Sequence, residues 1–253
     1  MEPSQAIQTQ AEPHNRHRHY RYYDYLMAGF VTVLLCSNLI GPAKVSEIDF
    51  SWLPVVGGVF VFGAGNIFFP ISYIFGDVLT EVYGYARARK VIWAGFFAII
   101  FAALMSAVII GLPVSGSEPF NIALQSSLET VFGNTWRIVV GSIVAFWVGD
   151  FVNAYVMARM KLLTNGKHLW MRTIGSTLCG QSIDSLIFYP IAFYGIWENT
   201  TLLYVILFNG VCKIAIEVIM TPVTYLVVNW LKKKEGEDFY DTDTDFTPFS
   251  VSD

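Results

Sequence analysis

The feature that most constrains this chain is the recurrence of long apolar runs, separated by short stretches that hold most of its charge. A helix needs about 20 consecutive apolar residues to cross the hydrocarbon layer of a bilayer. Runs at roughly 26 to 44, 55 to 84, 90 to 112, 134 to 158, 171 to 195 and 201 to 230 meet that need, which predicts six transmembrane helices. Of the 253 residues, 54% are hydrophobic and only 14% charged, and mean hydropathy is +0.49. The expected fold class is therefore an all-α polytopic membrane protein.

An even number of crossings puts both termini on one side, and the cations say which. Arg16, Arg18 and Arg21 precede the first run; Arg87, Arg89 and Lys90 follow the second. Arg159, Lys161, Lys167 and Arg172 join the fourth to the fifth, and Lys232, Lys233 and Lys234 follow the sixth. These are thirteen of the sixteen lysines and arginines, all on the same side. The positive-inside rule makes it the cytoplasm. Glu47, Asp49, Glu118, Glu129 and Glu198 fall on the other side, in keeping with that alternation.

The expected organisation is a flexible cytoplasmic N-terminal tail over 1–25, a six-helix transmembrane domain over 26–231, and a basic stop with an acidic, flexible cytoplasmic tail over 232–253. A net charge of −4, with its cations scattered among short connections, predicts no nucleic-acid partner. The tail histidines His14, His17 and His19 read as part of a polar arm, so neither a metal site nor a cofactor is expected. Cys36, Cys179 and Cys212 lie in apolar runs without metal-ligand spacing and read as small buried side chains.

Charges inside the runs carry the functional signal. Asp77 and Glu81, Arg137 and Asp150, Asp184, and Lys213 and Glu217 each cost about 2.5–3.5 kcal/mol near a helix centre, so most must face one another or a wet cavity. Asp150 shares a helical face with Phe146 and Asn153, and Thr177, Gln181, Asp184 and Ser185 form a stripe. Ser37 and Asn38 add polar groups to the first run. Glu81 and Glu217 fit either an ion pair or a proton-coupling role, and Lys213 has Glu217 or Asp184 as candidate partners. Pro70 and Thr221-Pro222 predict kinked or interrupted helices. Gly57-Gly58 and Gly63-x-Gly65 are suited to close packing, within the chain or across a homodimer.

Such an interior suits a small, flat, polar solute. Tyr73, Phe75, Phe146, Phe188 and Tyr189 offer ring faces for stacking, and the carboxylates and amides accept ring N–H and amino donors. No nucleophile with a His base, no His-Glu-x-x-His pair and no phosphate-cradling glycine loop occurs, which argues against an enzyme. Asp77 and Asp184 leave an aspartyl-protease reading open, and a scaffolding membrane protein whose polar groups only lock helices is the other alternative.

The ordered set Ser37-Asn38, Phe69-Pro70, Tyr73, Asp77, Tyr83-Gly84, Ala88-Arg89, Arg137, Asp150, Ser176-Thr177, Gln181, Asp184, Ala192-Phe193, Lys213 and Thr221-Pro222 resembles the queuosine precursor transporter family, also described as a vitamin uptake transporter family. The resemblance covers about residues 26 to 231. It implies import, across the cytoplasmic (inner) membrane, of 7-deazaguanines such as preQ0 or preQ1, or of queuine, for tRNA modification. It further implies that Asp77, Arg137, Asp150, Gln181, Asp184 and Lys213 form the functional polar set.

Overall fold

The computed structural model describes residues 20–39, 45–49, 59–63, 67–115, 118–132, 136–196 and 198–250. The chain runs α1 (Tyr23–Leu39), β1 (Val45–Asp49), β2 (Val59–Gly63), α2 (Phe69–Tyr83), α3 (Tyr85–Gly111), α4 (Pro119–Phe132), α5 (Trp136–Leu163), α6 (Leu169–Phe193) and α7 (Asn199–Glu235). The described residues are mostly helical. α3, α5 and α7 contain stretches long and apolar enough to cross a membrane: Tyr85–Gly111, Arg137–Leu163 and Leu202–Glu235. Their outer faces expose Phe97, Phe101, Leu104, Val108, Leu207, Val211, Ile219 and Leu226, the inverse of a water-soluble surface.

Two expectations are corrected here. The run at 55 to 84 does not form one helix: its first part supplies β2, which pairs antiparallel with β1 in the register Val45↔Gly63 to Asp49↔Val59. β-branched and aromatic residues in "VFVFG" fit a strand as well as a buried helix, and the neighbouring glycines weaken the helix. Pro70 therefore makes no kink inside a helix. It sits in the first turn of α2, where its missing N–H removes no intrahelical bond. The outer connection between the third and fourth runs contains the 14-residue α4. Gly57, Gly58 and Gly65, the residues behind the homodimer expectation, lie outside the described residues, as do His14, His17 and His19.

α5 and α6 form an antiparallel pair whose closeness follows from small residues. Gly141 faces Ile191, Gly149 faces Gly180 and Asp184, and Gly175 faces Met160. A Cβ on Gly180 would lie 2.8 Å from the Gly149 carbonyl oxygen and 2.8 Å from the Asn153 Cβ, so the two backbones touch. Pro222 lies within α7, where the helix continues through it while Thr221 Oγ1 donates to the Glu217 carbonyl at 2.8 Å.

The apolar core is concentrated at one end of the bundle, where Val78, Val82, Tyr83, Val91, Met157 and Leu231 pack together. Both described chain ends meet there: Tyr20 donates its hydroxyl to Glu237 at 3.0 Å, and the amides of Arg21 and Tyr22 donate to Glu235 at 3.1 and 2.7 Å. The acidic C-terminal stretch expected to be flexible is instead seated on this end through residues 237 to 250. The opposite half is looser and holds a cavity of about 460 Å³ bordered by Asn38, Ile99, Phe132, Ile138, Ser142 and Phe188.

Candidate functional site

Helical spacing aligns the interior charges. Tyr73, Asp77 and Glu81 follow one another at intervals of four along α2, and Lys213, Glu217 and Thr221 do so along α7. α5 contributes Asp150 and Asn153, and α6 contributes Thr177, Gln181 and Asp184. The fold brings these four faces together as two polar levels.

In the first level Lys213 Nζ donates to Asp184 Oδ2 at 2.7 Å, joining α7 to α6. Lys213 thus takes Asp184, not the Glu217 four residues away on its own helix, as its carboxylate partner. Asp150 lies within electrostatic reach of both members of this pair, and buried Tyr73 lies within reach of Asp184, Asp150 and Glu217. Asp77 is fully buried beside Asn153 and Glu217, and Glu217 also lies beside Thr177. None of the four carboxylate oxygens of Asp77 and Glu217 has a hydrogen-bond partner at normal geometry, nor do Asn153 Oδ1 and Ser185 Oγ. Buried polar atoms are almost always paired, so a cluster of orphaned acceptors marks a place where a donor is wanted. Four carboxylates surround one ammonium here, leaving the centre rich in acceptors.

The second level is an ion cluster at the densely packed end. Arg172 donates Nη2 to Glu81 Oε1 at 2.8 Å and Nε to Oε2 at 3.2 Å; Lys232 Nζ reaches Oε1 at 2.6 Å, and Lys161 Nζ donates to the Glu81 carbonyl at 2.6 Å. Asp238 joins Lys161 and Lys232 from the C-terminal segment. Burial opposes ionisation of Asp238, but hydrogen bonds from Lys161 and Lys232 outweigh it and hold its carboxyl below the usual aspartate range. Glu81 is thus an ion-pair residue in this structure. Lys161 and Arg172, read in the sequence as charges of a connecting loop, are buried members of the cluster, with side chains 2% and 1% exposed.

Two sequence candidates stand apart from this centre. Arg137 donates to the carbonyls of Ile191 and Tyr194, both at 2.9 Å, so its charge meets the C-terminal end of α6. Asn38 accepts a hydrogen bond from Ser142 Oγ at 2.9 Å and borders the apolar cavity. Gln181 is half-buried on the same helix as Asp184. Among the described residues no group of His, Cys, Asp and Glu is arranged to hold a metal ion.

Apolar outer faces around an acid-rich interior define a helical membrane protein. Over residues 63–227 the chain matches the family model described as "Putative vitamin uptake transporter". It is 30% identical over 217 residues to the probable queuosine precursor transporter of Bacillus subtilis strain 168, covering 83% of this chain and 86% of that one. It is also 26% identical to the queuosine precursor transporter of Escherichia coli K12, over 69% of this chain and 70% of the relative. A shorter match, 27% identical over 51% of each chain, is to a probable queuosine precursor transporter of Haemophilus influenzae. No solved structure matches. The chain belongs to the queuosine precursor transporter family: it is a multi-pass membrane protein of a transporter family, not an enzyme.

Proposed function

We propose that the protein imports 7-deazaguanine precursors of queuosine, or queuine, across the cytoplasmic membrane, with the solute held at the polar level formed by Tyr73, Asp77, Asp150, Gln181, Asp184, Lys213 and Glu217. The observation that carries this reading is the group of orphaned buried acceptors on Asp77, Glu217 and Asn153 beside the Asp184–Lys213 pair. A guanine-like edge presents ring N–H and amino donors that carboxylates accept, and its carbonyl is an acceptor that an ammonium satisfies. The relatives named as queuosine precursor transporters support the solute class.

In this reading the chain crosses the membrane six times, with α1, β2 together with α2, and then α3, α5, α6 and α7 as the crossings. α2 alone, 15 residues and hence about 22 Å, is shorter than the hydrocarbon layer of about 30 Å. Both termini face the cytoplasm, in keeping with the basic residues that surround them. Arg137 serves the frame of α6 and Asn38 the outer cavity, and neither meets the solute in this conformation. A homodimer is the proposed assembly.

Uptake of a labelled 7-deazaguanine into vesicles holding the purified protein, with guanine and queuine as competitors, tests the reading. Asp184→Asn and Lys213→Met, each folded by size-exclusion profile, are expected to lower uptake by about 100-fold, since each leaves a buried charge unpaired at the solute's seat. Uptake at the unaltered rate in both would remove it.

A further inference from the structure

Residues 237 to 250 lie beyond the matched family region, 63–227, yet the closed end of the bundle depends on them. Gly84, the single residue between α2 and α3, has φ +85°, and the ring of Phe239 fills the space a side chain there would need. The Phe239 amide donates to the Val82 carbonyl at 3.3 Å. Asp241 accepts the Tyr85 amide with both carboxylate oxygens, at 3.0 and 3.2 Å, and so caps α3. Further along, Arg89 Nη1 donates to the carbonyls of Asp245 and Thr247 at 2.8 and 2.9 Å, and Trp93 Nε1 donates to that of Pro248 at 2.9 Å. On α5, Lys161 donates to Asp238 and to the Phe239 carbonyl, and the Arg159 guanidinium lies 4.5 Å from the centre of the Phe246 ring.

These contacts meet at the junction of α2 with α3. α2 carries Tyr73, Asp77 and Glu81, and its only covalent link to α3 is the glycine that Phe239 covers. The segment also completes the charge balance of the ion cluster, where Lys161, Arg172 and Lys232 share Glu81 and Asp238 brings the second carboxylate. Taking the segment away from an otherwise unchanged bundle would strip acceptors from two buried cations, Lys161 and Arg89, each 2% exposed. Undocking would hand both cations to water and remove the Asp238 carboxylate that Lys161 of α5 and Lys232 of α7 share, so the helix ends lose a common anchor. The segment has no helix or strand of its own and keeps Thr242, Asp243 and Thr247 exposed, so contacts to the helix ends, not a hydrogen-bond ladder, hold it in place.

We propose that residues 237 to 250 form a latch. Docked, it fixes α2 against α3, α5 and α7 and closes this end of the bundle; undocked, it frees α2 to swing about Gly84 and opens the polar level to the side that holds both termini. The proposal rests on the transport reading for its consequence, though not for its geometry.

Two arms test it on the full chain. In the first, hydrogen exchange is measured on Asp238→Asn/Phe239→Ala without solute. Amides of residues 78 to 92 are expected to exchange about tenfold faster while those of 140 to 155 keep their rate; unchanged exchange at 78 to 92 overturns the latch. In the second, Tyr155→Cys and Phe246→Cys, whose native rings have centroids 5.4 Å apart, are joined by a short bis-methanethiosulfonate, which forms a disulfide with each thiol and releases methanesulfinate, in a chain with Cys36, Cys179 and Cys212 replaced by Ala. Joining is expected to slow uptake of labelled 7-deazaguanine by about tenfold or more with solute binding retained, and equal uptake before and after joining overturns the latch. This arm decides the matter if that double variant fails to fold. Absence of binding and uptake in the unjoined protein counts against the transport reading instead, and the exchange arm then decides the latch alone.

Discussion

Arg172 and Glu81, 91 positions apart in the chain, form a buried two-point pair, with Nη2 2.8 Å and Nε 3.2 Å from the two carboxylate oxygens. The planar fork of a guanidinium matches a carboxylate in a way an ammonium cannot. Removing Glu81 strands the buried Arg172 and leaves Lys161 and Lys232 with Asp238 as their remaining carboxylate. Glu81→Gln is therefore expected to lower stability by about 3–5 kcal/mol, and Arg172→Lys by about 1–3 kcal/mol, as one charge-assisted bond of the two is lost. Thermal unfolding in detergent, compared across both variants, checks the order; an Arg172→Lys loss equal to that of Glu81→Gln would contradict it.

The contact between Gly149 and Gly180 sets the distance between α5 and α6. A methyl at Gly180 would lie 2.8 Å from a backbone oxygen, which cannot rotate aside. Gly180→Ala is expected to cost about 1–3 kcal/mol by overpacking and to push Asn153 from the polar centre. Gly210 on α7 has nothing within 4 Å of where a Cβ would stand, so Gly210→Ala is expected to be neutral or to stabilise by up to about 1 kcal/mol through helix propensity. Melting temperatures of the pair separate steric contact from helix preference, and a matching fall in both would count against the tight α5–α6 contact.

The interior charges were legible because each is an exception to an apolar rule: a run of lipid-facing residues gives Asp77, Asp184 or Lys213 no reason to be there. Their helical spacing also announced which faces would turn inward. Lys161 and Arg172 were not legible as core residues, since a cation near a loop looks solvated until a distant carboxylate such as Glu81 is brought to it. The strand β2 was hidden because a continuous apolar run suits a helix and a strand alike. The seat of the C-terminal segment was hidden for an electrostatic reason: "EGEDFYDTDTDFTPFS" is too acidic to fold alone, and is seated against the cations that Arg89, Arg159, Lys161 and Lys232 place at one end of the bundle.

Acid should act on that segment with two signs. Asp238 has a lowered native value, so its contribution is complete above the ordinary aspartate range near pH 4 and is lost as pH falls through the lowered value. Asp241 is shifted the other way: its burial outweighs the bond from the Tyr85 amide and raises its carboxyl. Its ionisation therefore costs stability as pH rises from the ordinary value through the raised one. Asp238→Asn is expected to remove the loss of docking at low pH, and Asp241→Asn to remove the decline at higher pH. Protection of the amides near residue 85, followed by hydrogen exchange between pH 3 and pH 7 with correction for intrinsic rates, reads both; identical pH profiles for the two variants would refute the opposed signs.

Asp77 provides the sharpest separation between a working site and packing glue. Its carboxyl is fully buried and its oxygens lack partners, next to a second acid, Glu217, in the same state. If these groups only locked helices, replacing Asp77 with Asn would disturb a supporting contact and lower stability. An acceptor kept bare for a solute predicts otherwise, because an amide fills the same space as the carboxyl and is no costlier to bury there. Asp77→Asn is therefore expected to melt at the same temperature or higher, by up to about 2 kcal/mol of stability, while uptake of a labelled 7-deazaguanine falls by about 100-fold or more. Conversely, a variant that melts lower and transports normally would identify Asp77 as structural and move the solute's seat elsewhere in the bundle.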